Sequence, residues 1–543
     1  MADTTGIISS YHRDAGENMD ESEGKGWRYA PHVIVFFSSA FIMVVELVAG
    51  RLIARHLGNS LYTWTSIIGV ILAGMSIGNY LGGWLADRWR PERLLGPLFL
   101  FASMVCLSVL PLNHFFSDSY LLHDLMWPMR TFVTVLAIFV LPALALGTIS
   151  PAAAKMAVER GDAIGKSIGS VYAWGAVGSI VGTFLTGFWL ISALGSKGVV
   201  LSVSLSLAMM TVVLGPLRVL AAFGAVVLAG LLILSQLPPG PSGRTEDAFE
   251  ALGLREDPTS LLCVDSNYQF INVEERISDI DSSRWVRMLQ LDYLIHGYVD
   301  VNDPGHLEYH YERLYRDVVR RFVEDRKIVS AFFIGGGSYT FPRWVLHEWP
   351  GSRIDVAEID PMVVEVNYKV LGLPRETPIH SFPADARKVV DDLAVDARYD
   401  LVVGDAFNDM SVPFHLTTLE FNQKIKRHLS PYGVYMVNLI DDWQFGRLLG
   451  AYVLTLKKTF KHVYVFCTKQ GGVEDGRETF VLAASMRPIA VSDWQPGHET
   501  DFPGSLLTDD NIKELAGKCR GRILTDDNAP VENLLEPVVR NRN

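Results

Sequence analysis

Between residues 32 and 236 the chain passes through seven apolar stretches, near 32–54, 62–86, 94–112, 131–150, 167–193, 198–215 and 218–236. Most reach the roughly 20 residues an α-helix needs to cross a bilayer. A segment in lipid must satisfy its own backbone N–H and C=O groups, so this part of the chain can fold only as a bundle of helices. Small residues recur four apart in the second stretch (Gly74, Gly78, Gly82) and the fifth (Gly178, Gly182), the spacing that lets helices pack closely in lipid. Glu46 lies deep in the first stretch, where an acid is costly unless paired. It reads either as a structural lock, with Arg51 or a helix end, or as part of a polar pathway. Residues 1–31 are polar, carry no signal-peptide pattern and read as a disordered tail.

The loop GGWLADRWRPER, residues 82–93, resembles the cytoplasmic loop between the second and third spans of major-facilitator transporters. If the spans alternate, Arg88, Arg90, Arg93, Lys155, Arg160, Lys166 and Arg218 share one side. The positive-inside rule makes that side cytoplasmic and, with seven spans, sends the C-terminal region to the other. The Pro/Gly-rich QLPPGPSGRTED, residues 236–247, marks a boundary. The expected organisation is thus a tail (1–31), a multi-pass helical domain (32–237), a linker (238–258), a small β section (259–300), a Rossmann-like domain (301–490) and an extension (491–543).

The soluble half turns on KIVSAFFIGGGSYTFPRWVLHEWPGSRIDVAEID, residues 327–360. An apolar run stops at Gly335, Gly336 and Gly337, an amphipathic segment follows, and a second apolar run ends in Glu358. Strand, turn, helix and strand, with an acid about 20 residues past the glycines, is how a βαβ unit holds a ribose. The competing reading is a tight turn with no ligand. The triplet is not GxGxxG and no P-loop lysine follows, so an adenosine ligand without pyrophosphate, such as S-adenosylmethionine or a relative, fits better than a dinucleotide. Residues 260–274 and 285–299 alternate like strands, 306–325 reads as a helix, and Ile379, 399–404, 433–440 and 462–467 read as later strands of a doubly wound parallel sheet. Asp385 and Asp405 fall at strand C-terminal ends, where such sheets bind ligands. A formal net charge of −12 argues against nucleic-acid binding. Cys106, Cys263, Cys467 and Cys519 form no CxxC or Cys/His cluster, so neither a metal site nor a disulfide framework is expected.

Residues 260–485 resemble spermidine synthases, the polyamine aminopropyltransferases, in particular forms fused to an N-terminal membrane domain. DSNYQFINV, with Ser266, Tyr268, Gln269 and Val273, is similar to the family's S-x-Y-Q-x-I-x-V strand. LQLDYLIHGY resembles L-x-L-D-G-x-x-Q, with Asp292 kept and His296 in place of Gln. LEYHYERL resembles Y-H-E-x-L, with a one-residue offset that leaves His310 and Tyr311 competing for the substrate-facing place. The resemblance implies that Gln269, Gly335, Gly336, Gly337, Glu358, Asp385 and Ala386 hold the adenosyl donor. It further implies that Asp292, His310, Tyr311, Ser338, Tyr339 and Asp409 face the acceptor and that Asp405 is the general base. Ser338 and Tyr339 stand where the family reads G-G-G-D-G, and Asn408 and Asp409 where it keeps a second acid. The implied fold is an all-α transmembrane bundle followed by an α/β S-adenosylmethionine-dependent transferase domain.

A sulfonium carries its own leaving group, so the chemistry calls for an aligned, unprotonated amine rather than a metal. A carboxylate such as Asp405 can attract the ammonium and accept its proton; the plainer reading is a strand-end acid capping the next helix. The expected activity is aminopropyl transfer from decarboxylated S-adenosylmethionine to an amine such as putrescine. The alternatives are an S-adenosylmethionine-dependent methyltransferase, or a transporter or sensor with an adenosyl-binding domain. The expected setting is a bacterial inner membrane with the catalytic domain in the cytoplasm, where such donors are made, against the arginine distribution. A small-molecule amine partner and a homodimer complete the expectations.

Overall fold

The computed structural model describes residues 30–540 except 123, 161–162, 215–216, 238–243, 258, 324–326, 329, 407–411, 469–475, 490 and 492–503. Among the described residues, six helical runs are long and apolar enough to cross a membrane: 30–57, 61–88, 91–117, 127–160, 164–214 and 218–236. The 51-residue run at 164–214 breaks at Gly195, whose φ of 69° is closed to a helix, so the bundle has seven apolar arms. The first reversal is locally encoded. Gly58 takes a φ of 77°, Ser60 accepts the Thr63 N–H at 3.2 Å, and Trp64 Nε1 donates to Asn59 Oδ1 at 2.7 Å. Both glycine stripes are contact surfaces. A Cβ at Gly78 would come within 2.3 Å of the Leu144 carbonyl, and one at Gly178 within 2.1 Å of the Phe36 carbonyl.

Where the linker was expected, Arg244–Ala251 forms a helix, and Gly253 packs against Leu110 and His114 of the bundle. Each strand-like stretch that follows is a pair of strands. β1 (Ser260–Asp265), β2 (Phe270–Ile277), β3 (Trp285–Leu291) and β4 (Leu294–Val299) make an antiparallel meander, because tight turns at 266–269 and 292–293 reverse the chain.

The second sheet has eight strands: β5 (Ser330–Ile334), β6 (Arg353–Glu358), β7 (Ile379–Pro383), β8 (Tyr399–Gly404), β9 (Leu429–Asp442), β10 (His462–Cys467), β11 (Arg477–Ser485) and β12 (Ser505–Leu506). Their order is β12-β10-β11-β9-β8-β5-β6-β7. The five strands from β9 to β7 are parallel, as helical crossovers require, and their centres, such as Phe332, Phe333, Val356, Val402, Val403 and Met436, are apolar and buried because both faces are covered. The wholly parallel reading fails at the other edge. β10 and β11 form an antiparallel pair, and β11 inserts beside β9, also antiparallel. The C-terminal helices Asp509–Lys518 and Val531–Arg540 close that side, with Leu515, Leu524 and Leu534 in the core under the sheet.

Candidate active site

A cavity of about 870 Å³ opens at the C-terminal ends of β5, β6 and β8, between the sheet and the meander. Its floor follows from the glycines. Gly335 has a φ of 94°, and a Cβ there would lie 2.4 Å from the Asp405 carbonyl, so only glycine lets the β5 and β8 ends approach. The N–H groups of Gly336 and Gly337 donate to Glu358 Oε2 at 2.8 and 3.4 Å, and Asp360 N–H donates to Glu358 Oε1 at 3.0 Å. Burial pushes the Glu358 carboxyl above its ordinary range, against the pull of these backbone donors. The acid is therefore fixed at the β6 end before any ligand arrives.

Gln269 lines one wall and Asp385 with Ala386 another. Asp385 caps its helix by accepting Lys388 N–H at 3.1 Å, and its second oxygen meets His415 Nε2 at 2.8 Å. Asp405, one residue beyond β8, lies on the cavity wall; its Oδ1 accepts from Asn438 Nδ2 at 3.0 Å, and the Tyr311 hydroxyl lies near enough to help hold its carboxyl down. Burial raises the Asp405 carboxyl to about 6 despite both groups. Both residues competing by sequence line the cavity, and of the two it is Tyr311, not the exposed His310, whose side chain acts on the Asp405 carboxyl.

Other expected positions fall elsewhere. Asp292 is not on the cavity wall. Its φ of 48° turns the carboxylate back so that Oδ1 accepts Phe270 N–H at 2.9 Å. Tyr339, with φ 57°, is fully buried under the glycine loop and donates to Ser381 Oγ at 2.8 Å. Ser338 reaches the cavity but is pinned. Its Oγ is 2.7 Å from Thr340 Oγ1, and a Cβ on Gly297 would lie only 1.8 Å from it. Asp409 lies outside the described residues.

Glu312 was not among the expected site residues. It is 4% exposed and lines the cavity, and its Oε2 has no hydrogen-bond partner among the described residues. Burial, then the nearby Asp405, pushes its carboxyl well above the ordinary range. Its signal was legible in LEYHYERL, as the acid of the Y-H-E-x-L pattern. Tyr309 and Tyr315, near the same two acids, complete an acidic, aromatic end of the cavity. Such an end suits an apolar chain bearing a cation, since two buried acids without a cation between them carry an uncompensated desolvation cost.

No family model matches the chain. By sequence it is 25% identical over 230 residues to a probable polyamine aminopropyl transferase of Bifidobacterium longum, a match covering 38% of this chain and about half (48%) of that relative. The polyamine aminopropyltransferase 2 of Aquifex aeolicus aligns over 93% of this chain and 96% of its own length, at 21% identity. Among solved structures, a probable spermidine synthase from Corynebacterium glutamicum superposes with a TM-score of 0.42 at 20% identity, covering 49% of this chain and 96% of that one.

Proposed function

We propose that this chain, a relative of the polyamine aminopropyltransferases, transfers an aminopropyl group from decarboxylated S-adenosylmethionine to a linear amine and releases methylthioadenosine. The observation that carries this reading is that one cavity is lined by Asp405, by Glu312 with its Oε2 lacking a partner among the described residues, and by the loop-fixed Glu358. Gly335 to Gly337, Glu358, Asp385, Ala386 and Gln269 hold the adenosyl half of the donor. Glu358 accepts the ribose hydroxyl protons, and Asp385 reads the adenine amino group. The acceptor lies along the tyrosines toward Asp405 and Glu312.

In the transfer, the amine nitrogen forms a bond to the propyl carbon as the carbon–sulfur bond breaks. The bonding pair returns to sulfur and neutralises the sulfonium. The attacking nitrogen must first shed a proton, and Asp405, poised near pH 6, takes it and passes it to solvent. Tyr311 and Asn438 orient that carboxylate. The apolar tyrosine walls exclude water, which strengthens the attraction between the acids and the second ammonium of the acceptor.

Methyl transfer from S-adenosylmethionine is the second reading, favoured by Ser338 where aminopropyltransferases resembling this chain carry an acid. Incubating the purified full-length protein with each donor separates the two. Methylthioadenosine from the decarboxylated donor supports aminopropyl transfer, adenosylhomocysteine supports methyl transfer, and neither product overturns both.

We also propose a multi-pass location in a bacterial inner membrane, supported by the six long apolar helical runs. The side on which the catalytic domain lies is argued in opposite directions by two features. Its donor is a cytosolic metabolite, which puts the domain in the cytoplasm. The basic residues Arg88, Arg90, Lys155 and Arg160 gather at the bundle end away from it, where Lys155 Nζ donates to the Ala86 carbonyl at 2.6 Å and Arg160 pairs with Glu92 at 2.9 Å.

A further inference from the structure

The turn between β1 and β2, residues 265–269, carries Gln269 to the cavity wall, and the groups that fix its outer side come from the helical domain. Arg51, in the first helix, donates to the Asn267 carbonyl at 2.5 Å. Arg55, one turn on, donates to Asp265 Oδ2 and to Glu256 Oε1, each at 2.8 Å, and its guanidinium sits 3.6 Å from the centre of the Phe270 ring. Asp265 Oδ2 also accepts the Ser196 N–H at 2.7 Å, just past the helix break at Gly195. Two separate arms of the bundle thus converge on one short turn.

The inner side of the same turn reaches the donor site. Ser266 Oγ accepts the N–H groups of Tyr268 and Gln269 at 3.0 Å each and donates to Asp360 Oδ2 at 2.5 Å. Asp360 N–H in turn donates to Glu358 Oε1. A continuous series of hydrogen bonds therefore runs from Arg51 through the turn to the acid at the β6 end. Asn59, at the first helical reversal, lines the cavity itself.

We propose that Arg51 and Arg55 are positioning residues for the donor half of the site, which is complete only when the helical domain is docked against this turn. The inference rests on the adenosyl-donor reading of Glu358 and Gln269. Neither arginine is needed for the chemistry at Asp405, so their effect falls on donor binding and leaves the chemical step alone. A merely structural role would lower the amount of folded protein, and with it the apparent kcat and the binding stoichiometry, while leaving the donor KM and Kd of the folded fraction unchanged.

The test uses full-length protein in detergent micelles, with calorimetric binding of methylthioadenosine and steady-state kinetics in both substrates. For Arg51→Ala we expect the donor KM and the methylthioadenosine Kd each to rise about tenfold, the loss of one charged hydrogen bond. The acceptor KM and the kcat at saturating donor should stay within threefold. Arg51→Lys keeps the charge and the apolar stem but not the reach of the fork, and should give an intermediate rise even if the alanine variant fails to fold. Arg55→Lys should behave likewise. If the wild-type protein binds no adenosyl compound, the functional reading fails first. If the wild type binds and both Arg51 variants bind equally well, the positioning inference is overturned.

Discussion

Asp405→Asn should make the protein more stable while nearly abolishing turnover. Burial raises the carboxyl from 3.8 to about 6, roughly two units, so keeping it ionised in the folded protein costs about 3 kcal/mol. Because the folded state holds this proton more tightly than the unfolded one, the carboxyl's contribution to stability is fully present below pH 3.8 and lost as pH rises through about 6. At pH 8 the whole cost falls on the wild type, and an amide escapes it. The side-chain carbonyl of the variant still accepts from Asn438 Nδ2, so little is lost in exchange. The expected gain is about 1–3 kcal/mol at pH 8, shrinking below about 1 kcal/mol near pH 4. Turnover should fall by about 10² or more, because the amide cannot take the ammonium proton. Thermal unfolding of the full-length protein at both pH values, alongside methylthioadenosine release, measures both effects. An acid that only caps a helix predicts a loss of about 1 kcal/mol at pH 8 and an unchanged rate. A lower Tm at pH 8, or full turnover by the folded variant, would refute the assignment.

Glu358→Gln should weaken methylthioadenosine binding about tenfold or more, since a charged acceptor of hydroxyl protons becomes a half-donor amide; calorimetry reads this, and unchanged affinity would sink the ribose role. Glu312→Gln should raise the acceptor KM about tenfold with the donor KM unmoved, as expected for loss of one charge-assisted contact to an ammonium; a shift in donor KM instead would place Glu312 in the other subsite. The wild-type kcat/KM should fall about tenfold per pH unit below pH 6, as protonation removes the Asp405 base; a profile flat down to pH 4.5 would exclude that carboxyl as the base. A reporter fused after Asn543 and active on one side only decides the facing of the catalytic domain. Cytoplasmic activity would support a cytosolic donor, and the opposite result would follow the arginines.

The glycine unit was legible because everything in it is local. Strand, turn, helix and acid are set by residues 328–358, and their spacing fixes where Glu358 must stand. Positions whose direction depends on one backbone angle were not. Asp292 and Tyr339 both have positive φ, which swings each side chain off the cavity wall while the motif containing it stays in register. His310 and Tyr311 differ by one step on a helix, about 100°, and only packing against the β8 end selects Tyr311 for Asp405. Glu312 lies within LEYHYERL, but its burial with Oε2 lacking a partner among the described residues exists only in three dimensions. The antiparallel edge escaped because the pairing of β11 with β9 joins residues 477–485 to 434–442, and periodicity carries no information on such partners. Ser338 stands where the resembling family carries an acid. Its Oγ packs against Gly297 and pairs with Thr340 Oγ1, a local arrangement that motif spacing does not carry.

The first two helices, Ala30–Leu57 and Leu61–Arg88, each have 28 residues. At 1.5 Å per residue each is about 42 Å long, while the hydrocarbon layer of a bilayer is about 30 Å thick. An upright pair thus overshoots the apolar layer by roughly two turns. Arg51 and Arg55 occupy the last two turns of the first helix, so in the proposed bilayer setting they would stand as a short pillar at the headgroup level, beneath the α/β domain. The height of that pillar depends on the lipid. A thicker bilayer is met by a straighter helix pair, a thinner one by tilt, and tilt moves the pillar sideways beneath the 265–269 turn. If the helices span a bilayer as proposed, acyl-chain length would become a physical variable felt at the 265–269 turn.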